Sequence, residues 1–154
     1  MNTSRTVFNR LLITLVLFFC SRLLLSAQEG YTLRVEVGGL ESSKGQVIFS
    51  LYDKEDAIPD KKLENHFKMK KEKISGDTSF AIFTDIEAGT YVISILHDED
   101  SDGKITKGVL LPKEGIGFSN LRSIGPMNKP NFEKASFELK KDTTIRVEAV
   151  YLGK

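Results

Sequence analysis

Thr90-Tyr91-Val92-Ile93-Ser94-Ile95-Leu96 is the run whose reading decides the fold. It is dense in β-branched and aromatic residues and has no consistently polar face, the pattern of a central strand covered on both sides. Glu87-Ala88-Gly89 breaks the chain before it. Immediately after it comes His97-Asp98-Glu99-Asp100-Ser101-Asp102-Gly103-Lys104-Ile105, where three aspartates fall at every second position before a glycine. A loop carried on the end of a rigid central strand is where a β-sandwich tends to place function.

Working towards the N-terminus, Thr78 to Ile86 alternates with Phe80 and Ile82 on one face, and Gly76-Asp77 supplies the turn before it. His66 to Ile74 is lysine-rich, with Phe67 and Met69 two apart; it reads either as a basic patch for an anionic partner or as an edge strand whose lysines discourage edge-to-edge pairing. Glu64 and Glu72 interrupt the charge and favour the edge strand. Asp53 to Asn65 is charged and carries Pro59, which predicts a loop with a helical turn near Lys61 to Glu64. Before it lie two strands. Tyr31 to Val37 puts Tyr31, Leu33, Val35 and Val37 on one face, and Gln46 to Tyr52 alternates Val47, Phe49 and Leu51. The short Gly38 to Gly45 connection predicts antiparallel neighbours.

Towards the C-terminus, Lys107 to Lys134 has little periodicity but many glycines and prolines, so it reads as a long connection anchored by Phe118 and Phe132. Pro112 to Asn120 is expected to pack on the end of the central strand, with Gly115 and Gly117 allowing close backbone approach. Ala135 to Leu139 and Thr143 to Tyr151 close the chain as two strands joined at Lys140-Lys141-Asp142. About seven strands and no long helix predict an all-β fold, an antiparallel β-sandwich. Leu33, Val35, Val47, Phe49, Ile93 and Ile95 should share its core.

The chain has 154 residues, 40% hydrophobic and 28% charged, which suits one globular domain. Arg5 and Arg10 precede an apolar run from Leu11 to Cys20, and Leu25-Ser26-Ala27 puts a small residue before Gln28, so residues 1–27 are expected to be a secretory signal peptide and 28–154 the single sandwich domain. The competing reading, a membrane anchor, is opposed by Arg22, which ends the run short of the roughly 20 apolar residues a span needs. The expected address is periplasmic or extracellular, with no span in the mature chain. Without residues 1–27, 19 basic residues face 21 acidic ones, a balance with no nucleic-acid signature. Cys20 is the one cysteine, so the expected mature chain has neither disulfide nor thiol chemistry.

The acidic loop matches the first half of a calcium loop, D-x-[DN]-x-[DN]-G, whose carboxylates at positions 1, 3 and 5 converge on the ion while the glycine makes the turn. Asp98, Asp100, Asp102 and Gly103 fit, and they are the candidate metal ligands, with Ca2+ the candidate cofactor. The second half departs. Position 9 is Thr106, and position 12, where an EF-hand carries a bidentate glutamate, is Val109. A plain solvated turn is the competing reading, because exposed turns also select Asp, Ser and Gly.

Together Gly39-Leu40 with Gly45-Gln46-Val47, Ala88-Gly89-Thr90-Tyr91, His97 to Lys104, Pro112 to Asn120 and Asn131 to Phe137 resemble domain-of-unknown-function family 2141 over roughly residues 31 to 151. The resemblance implies a secreted bacterial domain with a transthyretin-like or immunoglobulin-like sandwich, and no activity. The family often has asparagine where this chain has Asp100 and Asp102, and more acidic residues after the lysine than Ile105-Thr106.

Two functions compete. One is a non-catalytic binding or structural module of the cell envelope, with an envelope or extracellular partner and a weak calcium loop. The other is a carbohydrate-binding protein or hydrolase using Asp98 to Asp102, Glu114 and Glu133, since paired carboxylates can work on glycosides. No nucleophile with a positioned base is visible, and tryptophan is absent, so the module leads. His97 is expected to fix the loop as a strand-end residue.

Overall fold

A computed structural model describes residues 30–106, 113–125 and 127–153. The expected signal peptide, residues 1–27, lies outside them, as do Val109 and Pro112. Among the described residues no helix is long and apolar enough to cross a membrane.

Among the described residues, eight strands form two sheets. Strands β1 (Tyr31–Gly38), β2 (Gln46–Tyr52), β3 (Lys68–Lys73), β4 (Ser79–Ile86) and β5 (Gly89–Asp98) come first, followed by β6 (Gly115–Phe118), a one-turn helix α1 (Phe132–Ala135), β7 (Phe137–Leu139) and β8 (Thr143–Glu148). The smaller sheet has the order β4-β1-β8 and the larger β3-β2-β5-β6, with β7 also paired to β5. The eighth strand is β6, which lies in the stretch expected to be a loop. Its four residues pair antiparallel with Ser94 to His97, so residues 113–120 do pack on the end of the central strand. There a Cβ at Gly117 would lie 2.6 Å from the Glu148 carbonyl oxygen, the close approach expected of that glycine.

Strands β1 and β2, expected as antiparallel neighbours, do not pair but lie in different sheets, and among the described residues one pair is not antiparallel. Strand β8 runs parallel to β1, from Leu33↔Thr143 to Gly38↔Glu148. This follows from the Lys140 to Asp142 turn, which does not close a hairpin but carries the chain from β7 in one sheet to β8 in the other. Asp142 Oδ1 accepts the Thr32 N–H at 2.8 Å and pins that crossing to the start of β1.

The core between the sheets holds Leu33, Val35, Val47, Phe49, Ile93 and Ile95, as alternation requires, together with Phe83, Leu139 and Val147. In β4 the inward face is Ser79, Ala81 and Phe83, and Phe80 is half exposed on the outer one. The phase is set by β1: Val35 pairs with Ala81, and a bulge, with Tyr31 opposite Ile86 but Leu33 opposite Phe83, turns Ile86 inward as well. Phe80 instead lies under the Arg34 guanidinium, 4.1 Å from the ring centroid. The lysine-rich strand β3 is the edge of the larger sheet, as the interrupted charge suggested.

Strand β5 is buried along nearly its whole length because both faces are covered. Its outward residues belong to two smaller clusters, one around Tyr52, Val92, Ala57 and Phe132, the other around Ile48, Leu96 and Leu63. The segment after β2 therefore folds back as a cover, with its short helical turn at Glu55–Ala57 rather than at Lys61 to Glu64. Tyr91 lies back over Gly89 and donates to the Glu87 carbonyl at 3.0 Å, a tyrosine corner that fixes the entry to β5.

Candidate functional site

Alternation along β5 sends His97 and Asp98 to opposite faces. His97 pairs with Val47, whose side faces the sandwich core, and is fully buried. Its Nε2 meets the Lys44 carbonyl oxygen at 3.0 Å, and its Nδ1 meets the Tyr151 hydroxyl. A carbonyl can only accept, so Nε2 carries a proton; in the neutral imidazole Nδ1 then accepts from Tyr151, whose oxygen takes the Glu41 N–H at 3.0 Å. Every polar atom of the imidazole is used in holding the β1–β2 connection to the C-terminal segment. His97 is therefore a fixing residue, as expected, but of those two segments rather than of the acidic loop, and it forms no dyad with Asp98.

Asp98 closes β5 on the other face, fully buried, and organises the loop that follows. Its Oδ2 accepts from Gln46 Nε2 at 2.8 Å and from the Gly103 N–H at 3.1 Å, while Oδ1 accepts the Asp102 N–H at 3.1 Å. Asp100 Oδ1 accepts the same Asp102 N–H, and Asp102 Oδ1 accepts the Lys104 N–H at 2.7 Å. These side chains capping the backbone two residues ahead wind the loop tightly, with Ser101 at φ 59° and Gly103 at φ 77°. Gly103 thus makes the turn its position predicted.

The result brings all three candidate ligands together. Asp98, Asp100 and Asp102 each present a carboxylate oxygen within 4.8 Å of the others, one buried and two exposed. The nearby Lys71 ammonium would lie 3.1 Å from a Cβ on Gly103, but it makes no ion pair with these aspartates among the described residues. The arrangement offers hard oxygen donors of the kind that hold calcium or another hard cation.

A fourth carboxylate lies beside these three without entering the group within 4.8 Å, and spacing along the loop could not reveal it. Glu114 precedes β6, and extending the register His97↔Gly115 by one residue sets it opposite Asp98. Its Oε2 accepts the Thr106 N–H at 2.7 Å, and the Lys113 N–H returns to the Thr106 carbonyl at 3.1 Å. Burial pushes the Glu114 carboxyl above the usual carboxylate range; the charges of Asp100 and Asp98 push the same way, against the backbone donors of Thr106 and Glu99. Sequence reasoning groups Glu114 with the loop acids only as part of a hydrolase face; its place at the head of Glu114-Gly115-Ile116-Gly117-Phe118 becomes legible once that stretch is seen as a strand beside β5.

Glu133, the remaining member of the acidic face considered for a hydrolase, does not join the cluster. It sits exposed on α1, which packs on the cluster around Val92. Val92 and Asp98 are six residues apart on one extended strand, about 20 Å.

No curated protein and no solved structure matches the chain. A family model does, over residues 35–146, and its description is "uncharacterized protein conserved in bacteria". That span takes in strands β2 to β7 complete and parts of β1 and β8, together with the acidic loop and Glu114. The chain therefore belongs to domain-of-unknown-function family 2141.

Proposed function

We propose that the protein is an exported bacterial β-sandwich module, binding or structural in role, whose acidic loop takes a calcium ion in an extracytoplasmic compartment. The observation that carries this reading is the convergence of Asp98, Asp100 and Asp102 on one point at the end of the central strand β5. Carboxylates so close repel one another, and a divalent cation relieves that. Lacking a glutamate at Val109, the loop is expected to bind as extracellular modules do, with Kd of about 10⁻⁴ to 10⁻³ M. Export rests on the basic-then-apolar pattern of residues 5–27.

The test is thermal unfolding in chelator and in about 5 mM calcium, roughly five times the upper end of that range. At about 1 mM calcium, linkage stabilises the fold by about 0.4 to 1.4 kcal/mol, a rise in Tm of about 1 to 6 °C for a domain of this size. Magnesium, which demands stricter octahedral geometry, is expected to give none. Identical melting in chelator and calcium would leave the stretch as an acidic turn only.

A further inference from the structure

Glu114 is a buried carboxylate with one oxygen hydrogen-bonded and the other not, although the Glu99 N–H also acts on the carboxyl. The residue is 3% exposed, and its Oε2 serves the Thr106 N–H. Its Oε1 is buried with no hydrogen-bond partner among the described residues. An unpaired buried carboxylate oxygen is strongly unfavourable, and native folds rarely keep one without a use for it. Its position makes matters worse for the bare protein. Continued one residue past its last pair, His97↔Gly115, the β5–β6 register would set it opposite Asp98, and like charges facing each other across neighbouring strands are destabilising. A second tie runs through Thr106, whose backbone serves Glu114 while its hydroxyl lies 3.5 Å from Asp100 Oδ2. The Glu114 carboxylate lies outside the group of three whose oxygens come within 4.8 Å of one another, but near enough to feel the charges of Asp100 and Asp98.

We propose that Glu114 is the fourth protein ligand of the cation taken by Asp98, Asp100 and Asp102, supplying from the neighbouring strand the glutamate that a calcium loop would carry at Val109. This rests on the cation reading above and deepens it. An EF-hand draws its ligands from one continuous loop. Here the fourth comes from the residue before β6, so the bound ion clasps the end of β5 to the start of β6. The cation then satisfies the orphaned oxygen and cancels the repulsion between the two strands in one step.

Glu114→Gln separates this role from a structural one. Glutamine keeps the size and the acceptor that the Thr106 N–H needs, and its amide donates where the carboxylate repels. In chelator the variant is expected to melt at or above the wild-type temperature. In calcium its affinity, measured by titration calorimetry, is expected to be about tenfold weaker or more, because affinity in such loops follows the number of charged ligands. Asp100→Asn provides the second arm and is expected to lose calcium binding as well. Wild-type affinity in Glu114→Gln, with binding lost in Asp100→Asn, would overturn the fourth ligand and leave the loop site standing. Absence of calcium binding in the wild-type protein would overturn both. A Glu114→Gln protein that melts well below wild type in chelator would show that the carboxylate is needed for folding without a cation, which also overturns the proposal.

Discussion

Replacing Gly45 by alanine should loosen the frame on which the acidic loop is built, and Gly76→Ala provides the matched control. Both residues have left-handed backbones, φ 71° and 67°. At Gly76, in the β3–β4 turn, no atom lies within 4 Å of an added Cβ. Alanine there meets only the left-handed penalty, about 1–2 kcal/mol, offset by about 0.4–1 kcal/mol from the stiffer unfolded chain. At Gly45 the added methyl would run into the Asp98 carbonyl oxygen and stand 2.7 Å from Glu99 Cα, both of them backbone. No rotamer can relieve that, so β2 and the end of β5 must part locally, at an extra cost of about 1–3 kcal/mol. At about 2.1 cal/mol/K of unfolding entropy per residue, Gly45→Ala is expected to melt about 4 to 12 °C below Gly76→Ala. Thermal unfolding followed by circular dichroism in chelator measures the difference. Two variants melting within about 2 °C of each other would refute the close approach of Gly45 to Asp98.

Tyr151→Phe removes the hydroxyl that donates to buried His97 Nδ1, and an unpaired buried acceptor costs about 1–3 kcal/mol; urea unfolding is expected to show that loss, and an unchanged midpoint would deny the link. Burial raises Tyr52 and Tyr91 above the ordinary 10.0, seconded by Asp60 at Tyr52 and by Asp53 and Glu87 at Tyr91, with Ser94 and Ser50 opposing at Tyr52. The native state therefore holds these protons longer than the unfolded chain does, so their contribution is full below pH 10.0 and is lost as pH rises through the raised values. Titration of tyrosinate absorbance should show these two ionising late, and Tyr52→Phe should flatten the alkaline loss of stability.

Period-two alternation made β1, β2 and the core positions of β5 legible, because each buries one set of side chains against the opposite sheet. It could not assign the inward face of β4, where Phe80 and Ile82 looked as apolar as Ala81 and Phe83; pairing with β1 settles that. Nor could it show β6, which has four residues, two of them glycine. With β6 hidden, Glu114 could be grouped with Asp98 to Asp102 only as one of several loop acids, alongside Glu133, and not as a neighbour across a strand pair. The parallel course of β8 was equally hidden, since Lys140 to Asp142 reads the same as a hairpin turn or as a crossing between sheets. The three aspartates were legible because they stand at every second position of one short stretch of sequence; Glu114 lies at the head of a neighbouring strand and needed the fold.

The most direct test follows the Gly103 amide by NMR while calcium is added to the protein. That N–H is held by Asp98 Oδ2, and its residue turns the loop at φ 77°, so it reports on the proposed site from within. The expected result is a saturable shift of the Gly103 and Asp102 amides with Kd of about 10⁻⁴ to 10⁻³ M, lost in Asp100→Asn. Amides that stay unmoved at about 5 mM calcium, several times the weakest affinity expected, would contradict the cation site.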